Sequence, residues 1–117
     1  MTDLVKTNSW EEIEIWCQDL IDHGIEYEPM LNLIQHIRSS GLNERLYAIT
    51  SLNELIVGIF DEIEWNKEVL HISFDAEQKK WEFKYWPLPN KPFEFERNYN
   101  EEFGIEKFDQ FIKYIKW

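Results

Sequence analysis

A chain of 117 residues falls within the usual size of one domain and is expected to bury roughly two-thirds of the surface its unfolded form exposes. With 44% hydrophobic residues, among them 6 Trp, 8 Phe and 5 Tyr, it carries too much core material for an intrinsically disordered chain. Its 12 basic and 23 acidic residues give a net charge of −11, and the resulting repulsion weighs against DNA, RNA or an anionic membrane surface as the direct partner.

The stretch from Met1 to Lys6 has neither the basic start nor the apolar run of a signal peptide, and nowhere does an apolar run approach the ~20 residues that span a bilayer. The lone cysteine, Cys17, has no partner for an internal disulfide, so a reducing cytoplasm is the expected compartment.

Ser9 followed by Glu12 has the spacing of a capping box and predicts the start of a first helix. Ile13, Trp16, Cys17, Leu20 and Ile21 then recur on one helical face, and Gly24 is suited to end it. Pro29 fits the first turn of a second helix, with Met30, Leu33, Ile34 and Ile37 as its apolar stripe and Gly41 as its stop. The short connection predicts that the two helices are neighbours.

From Arg45 onward the period changes from helical to alternating. Residues 46–50 and 55–60 read as two strands joined by a turn around 51–54. Residues 69–74 and 81–86 read as a hairpin. Pairing Phe74 with Trp81 sets Ile72 opposite Phe83 and Leu70 opposite Tyr85, so that all six share one face; a slip of one residue would expose them. Pro87, Pro89 and Pro92 interrupt the ladder, residues 93–97 resume as a short edge strand, and a last helix runs from about residue 105 with Ile105, Phe108, Phe111, Ile112 and Ile115 as its stripe.

The predicted order is α-α-β-β-β-β-β-α in one domain spanning residues 1–117. That order points to an α+β fold, with two N-terminal helices, an antiparallel sheet of about five strands, and a C-terminal helix packed on one sheet face. The far face would carry Val69, His71, Ser73, Glu82, Lys84 and Trp86. The strand at 55–60 is apolar on both sides, so Ile56, Phe60 and Trp86 form a surplus that a loop or a second copy of the chain must cover. These three are the expected self-association surface.

No catalytic constellation emerges. Cys17 sits within an apolar stripe, where a thiol behaves as a small hydrophobe. His23, His36 and His71 lack metal-ligand spacing, and no CxxC or HExxH occurs. Asp22, His23 and Glu26 straddle a helix end. Asp61, Glu62 and Glu64 ahead of Trp65 read as a solvated loop. The four glycines are isolated, so no phosphate cradle is formed. The expectation is a chain with no catalytic residues, no metal site and no cofactor.

Charge distribution is the most informative feature. Residues 1–41 hold eight acids and two bases, whereas residues 81–117 hold seven and six. Between Lys6 and Arg38 there are seven acids and no Lys or Arg, although ordinary surfaces intersperse the two signs. On a helical projection Glu11, Glu12, Asp19 and Asp22 lie opposite the apolar stripe with Ile15 among them. An apolar anchor ringed by charge is how many binding hot spots are built.

The expected function is therefore a small acidic protein-binding module whose partner is a protein with a basic surface. Small, acidic, aromatic-rich cytoplasmic domains are similar in type to the immunity proteins that neutralise bacterial toxins, many of them nucleases with cationic clefts. Two alternatives stand beside it. One is a secretion or assembly chaperone, dimeric through the apolar far face. The other is a small-ligand or enzymatic domain with a pocket lined by Trp65, Trp81 and Trp86.

Overall fold

A computed structural model describes residues 4–60, 62–64, 68–86 and 95–117. In chain order these residues form β1 (Leu4–Lys6), α1 (Trp10–Asp22), α2 (Glu28–Ser39), β2 (Tyr47–Ser51), β3 (Glu54–Gly58), β4 (Glu62–Glu64), β5 (Val69–Asp75), β6 (Lys80–Trp86), β7 (Phe95–Asn100) and α3 (Gly104–Tyr114). Short 3-10 turns at Leu42–Glu44 and Glu101–Phe103 lead into β2 and α3. β2, β3, β5, β6 and β7 make a five-stranded sheet in that order, antiparallel throughout, while β1 and β4 pair separately. This is the α+β arrangement predicted from the alternating and helical periods.

Local signals place the helices. Ser9 caps α1 by accepting the Glu12 amide at 3.1 Å, and the Glu12 carboxylate reaches back to the Ser9 amide at 3.2 Å. At the other end Gly24 adopts φ +95°, and the Ile25 amide closes onto the Leu20 carbonyl at 3.0 Å. A left-handed residue followed by that backward bond is the Schellman ending, which favours glycine. Pro29 occupies the first turn of α2, where its missing N–H costs nothing.

The hairpin register is the one the sequence predicts: Phe74 faces Trp81, Ile72 faces Phe83 and Leu70 faces Tyr85. All six join a continuous core with Ile13 and Cys17 of α1, Met30, Leu33, Ile34 and Ile37 of α2, and Phe108, Phe111 and Ile112 of α3. Period-2 and period-3.6 stripes thus bury against one another, and removal of this apolar area from water is the main force holding the layers together. Trp10 belongs to this core as well, and its Nε1 donates to the Leu46 carbonyl at 2.9 Å. Tyr27, in the α1–α2 connection, is 2% exposed and donates its hydroxyl to the Asn53 carbonyl at the tip of the β2–β3 hairpin.

Several boundaries differ from expectation. β3 stops at Gly58, opposite Tyr47 where its partner β2 begins, and Ile59 and Phe60 form a bend. β7 runs on to Asn100, since Lys80 and Glu82 of β6 supply partners for the polar run Asn98 to Asn100. Glu62 and Glu64, expected in a loop, lie on β4 and pair with Lys6 and Leu4. The far face of the sheet is not bare: Ile49, Ile56 and Val69 form a second small buried cluster against which Trp86 packs. Asp61, Trp65 and the prolines Pro87, Pro89 and Pro92 lie outside the described residues, as does Phe93.

Candidate functional site

Helix α1 presents its polar face to solvent as the heptad-like spacing requires. Glu11, Glu12, Asp19 and Asp22 are all exposed, and Ile15 among them is 55% exposed. The structure brings these five residues together on one helix surface. They are not equivalent. Glu12 is occupied by the capping box with Ser9, and Asp22 accepts from Gln18 Nε2 at 3.0 Å, whereas Glu11 and Asp19 make no side-chain hydrogen bond among the described residues.

Electrostatics set the two ends of the helix apart. Glu11 and Glu12 sit at the N-terminus, where the helix dipole favours negative charge. Asp19 and Asp22 sit near the C-terminus, where the dipole opposes it by ~0.3–1 kcal/mol each, and no basic residue occupies that last turn. Asp22 recovers part of this through its i,i+4 bond from Gln18, whereas Asp19 has no such side-chain compensation among the described residues. Arg38 of α2 is drawn off by Glu14 at 3.0 Å, on the flank facing α2. Among the described residues no Lys or Arg forms an ion pair with Glu11, Glu12, Asp19 or Asp22.

Past the α1–α2 connection the acidic character continues around a cleft of 680 Å³. Glu26 lines it from the α1–α2 connection, Glu28 from the start of α2, Glu101 and Glu102 from the turn before α3, and Phe74, Trp81 and Ile105 from beneath, with Lys79 the one cation among the described lining residues. A second groove, of 660 Å³, lies between β7 and α3 and is lined by tyrosines and two cations. Trp81 is 1% exposed on the helix face of the sheet, and Trp86 lies on the far face, so these two tryptophans do not share a pocket.

The residues considered for chemistry are placed as follows. Cys17 is fully buried, its Sγ 3.6 Å from the Tyr27 carbonyl; burial, with Glu28 and Glu14 adding to it, pushes the thiol up to about 12. A thiol so held is not a nucleophile at neutral pH. His23 caps α1, and its Nδ1 donates to the Asp19 carbonyl at 2.7 Å. His36 Nε2 meets Asp109 of α3 at 2.9 Å and ties the second and third helices together. His71 on the far face has Nδ1 3.0 Å from Glu54 and its ring edge-on to Trp86, while its Nε2 is buried with no hydrogen-bond partner among the described residues. Burial lowers its pKa, with the Glu54 carboxylate opposing the shift and Lys84 adding to it. Among the described residues no three His, Cys, Asp or Glu side chains converge to hold a metal.

Of the surplus apolar set, Ile56 is 2% exposed within the second cluster and Trp86 is half-buried against His71, leaving Phe60, at 45% exposure, as the member with most surface toward solvent. No described helix is long and apolar enough to cross a membrane. The sequence reasoning missed the tyrosine groove, although Lys107, Gln110, Phe111 and Tyr114 are spaced i, i+3, i+4, i+7 and thus form a readable stripe. Compared with known proteins, the chain matches no family model, no curated protein and no solved structure.

Proposed function

We propose that the chain is a protein-binding module of the inhibitor or immunity type, whose α1 face engages a cationic surface on its partner. One observation carries this reading: an exposed isoleucine surrounded by carboxylates that no cation of the described chain neutralises. Asp19 opposes the dipole of its own helix and makes no side-chain hydrogen bond among the described residues, so a benefit outside the fold is the simplest reason for it. A cationic cleft, such as that of a nuclease, offers the complementary charge, and desolvated carboxylates there replace phosphates. The apolar Ile15 supplies the contact that excludes water at the centre.

The test uses the protein encoded by the adjacent gene, immobilised, with binding kinetics measured at two salt concentrations. Glu12 is left intact because it caps α1. Reversal of Glu11, Asp19 and Asp22 to Lys is expected to abolish binding with the circular dichroism spectrum unchanged, and wild-type association should slow as salt rises. Salt-independent binding that survives the triple reversal would sink this reading.

A further inference from the structure

The groove between β7 and α3 runs against the charge of the chain. In register Arg97 faces Phe83 and Tyr99 faces Trp81, so both β7 side chains lie on the helix side of the sheet. The stripe Lys107, Gln110, Phe111 and Tyr114 faces them from α3. Two cations therefore flank walls of tyrosine and phenylalanine, and among the described residues no carboxylate lines the space, on a chain of net charge −11.

The walls are fixed before any ligand arrives. Arg97 Nη1 donates to the Glu96 carbonyl at 2.8 Å. Lys107 Nζ stands 5.6 Å from the centre of the Tyr99 ring, within cation–π range. Tyr99 packs edge-on to Phe83 at 5.4 Å, and Phe111 edge-on to Tyr85 at 5.2 Å. Tyr114 is 77% exposed at the rim, a large aromatic surface with no neighbour stacked on it among the described residues.

We propose that this groove binds a small organic anion, a carboxylate with an aromatic or acyl body. The 660 Å³ space lies within the range of small-molecule sites, roughly 300–1,000 Å³. Lys107 would receive the anionic head, and the positive charge of Arg97 beside it favours an anion there. Tyr99, Phe111 and Tyr114 would cover the body, and Gln110 and the hydroxyls of Tyr99 and Tyr114 offer hydrogen bonds, while that of Tyr85 donates to the Glu68 carboxylate. Elsewhere the acidic surface repels such a molecule, so the groove is where charge and shape agree. The inference is independent of the α1 reading, which concerns a ligand of opposite charge on another helix.

The experiment titrates the intact protein with anilinonaphthalene sulfonate, followed by its fluorescence, and in parallel with phenylnaphthylamine, which has the same ring system and no anionic group. Saturable one-to-one binding of the sulfonate is expected, displaced by decanoate and by indole carboxylate. Amide shifts in NMR should cluster at Tyr99, Lys107, Gln110 and Tyr114. Lys107→Glu should weaken the sulfonate by about tenfold or more and leave the neutral amine within about twofold. Tyr114→Ala, at an exposed position that cannot unfold the core, should weaken both. Equal affinity for the two probes, indifference to Lys107→Glu, shifts confined to other surfaces, or binding of an extended acidic peptide but of no small anion would each overturn the proposal.

Discussion

Gly104 lies directly on the indole of Trp81, so close that a β-carbon added there would overlap the indole nitrogen and Cε2. The glycine is helical, and it is required for this approach rather than for backbone freedom. The indole cannot easily move, because its Nε1 donates to the Glu101 carbonyl at 3.0 Å and its ring packs edge-on to Phe74 at 5.1 Å. α3 is thus seated on the sheet by a pair of residues from opposite layers.

The pair makes a stability prediction. Gly104→Ala should destabilise by ~1–3 kcal/mol through overpacking. Trp81→Ala should cost ~3–5 kcal/mol through the cavity it leaves. With Trp81→Phe in the background, the Gly104→Ala penalty should shrink, because the smaller ring vacates the space. Urea unfolding of the four proteins in a double-mutant cycle measures the coupling, and additive penalties would refute the seating. On the far face, Lys84→Ala should cost less than ~1 kcal/mol.

The thiol of Cys17 should resist alkylation in the native protein. Burial holds it far from its ionised form, and reaction requires the core to open. Labelling followed by mass spectrometry should show modification only in denaturant. Cys17→Ala should cost stability alone.

His71 gives the fold a pH dependence of definite sign. Burial lowers its native pKa, so the unfolded chain takes up a proton first, near pH ~6.5. The histidine's contribution is fully present above that value, is lost as pH falls through the window down to the lowered native pKa, and levels off below it. His71→Phe, which retains the edge-on aromatic contact with Trp86, should flatten this part of the profile. Urea midpoints at about pH 7.5 and about pH 5 for wild type and variant give the comparison, and parallel slopes would assign the dependence to other groups.

On α1, anchor and charge should separate kinetically. Ile15→Ala should raise the dissociation rate from the cationic partner more than it lowers association, whereas reversing Glu11, Asp19 and Asp22 should slow association. Reversal of Glu106 and Asp109 on α3 should matter much less, with part of any stability loss traceable to the His36–Asp109 pair.

Elements with strong periods were legible from residue order. The register of β5 and β6 follows from six large apolar residues that must share a face, and α1 from a capping box that the structure forms. β1 and β4 escaped because three residues carry no measurable alternation, and their pairing joins segments about sixty residues apart. The end of β3 was misjudged because Ile59 and Phe60 continue an apolar run, while the strand ends opposite the start of its partner. The far-face cluster of Ile49, Ile56 and Val69 depends on three strands meeting, which no single segment announces. The exposure of the α1 carboxylates followed from helical geometry. The use of Glu12 as a cap was legible in its spacing from Ser9, whereas the pairing of Arg38 with Glu14 needed the tertiary arrangement.

Tyr27 has one further consequence. Its hydroxyl bonds to the Asn53 carbonyl, beside Leu52, a 91% exposed leucine held at φ +55°. A leucine in that conformation favours release of the turn, since its side chain gains nothing there and the backbone is strained. The tyrosine, locked between Trp16 and Phe74, acts as a latch on this loaded tip from the connection between the first two helices. Amides of the β2–β3 tip and of the α1–α2 connection should then lose protection from hydrogen exchange together, as one opening unit spanning 26 residues of sequence separation.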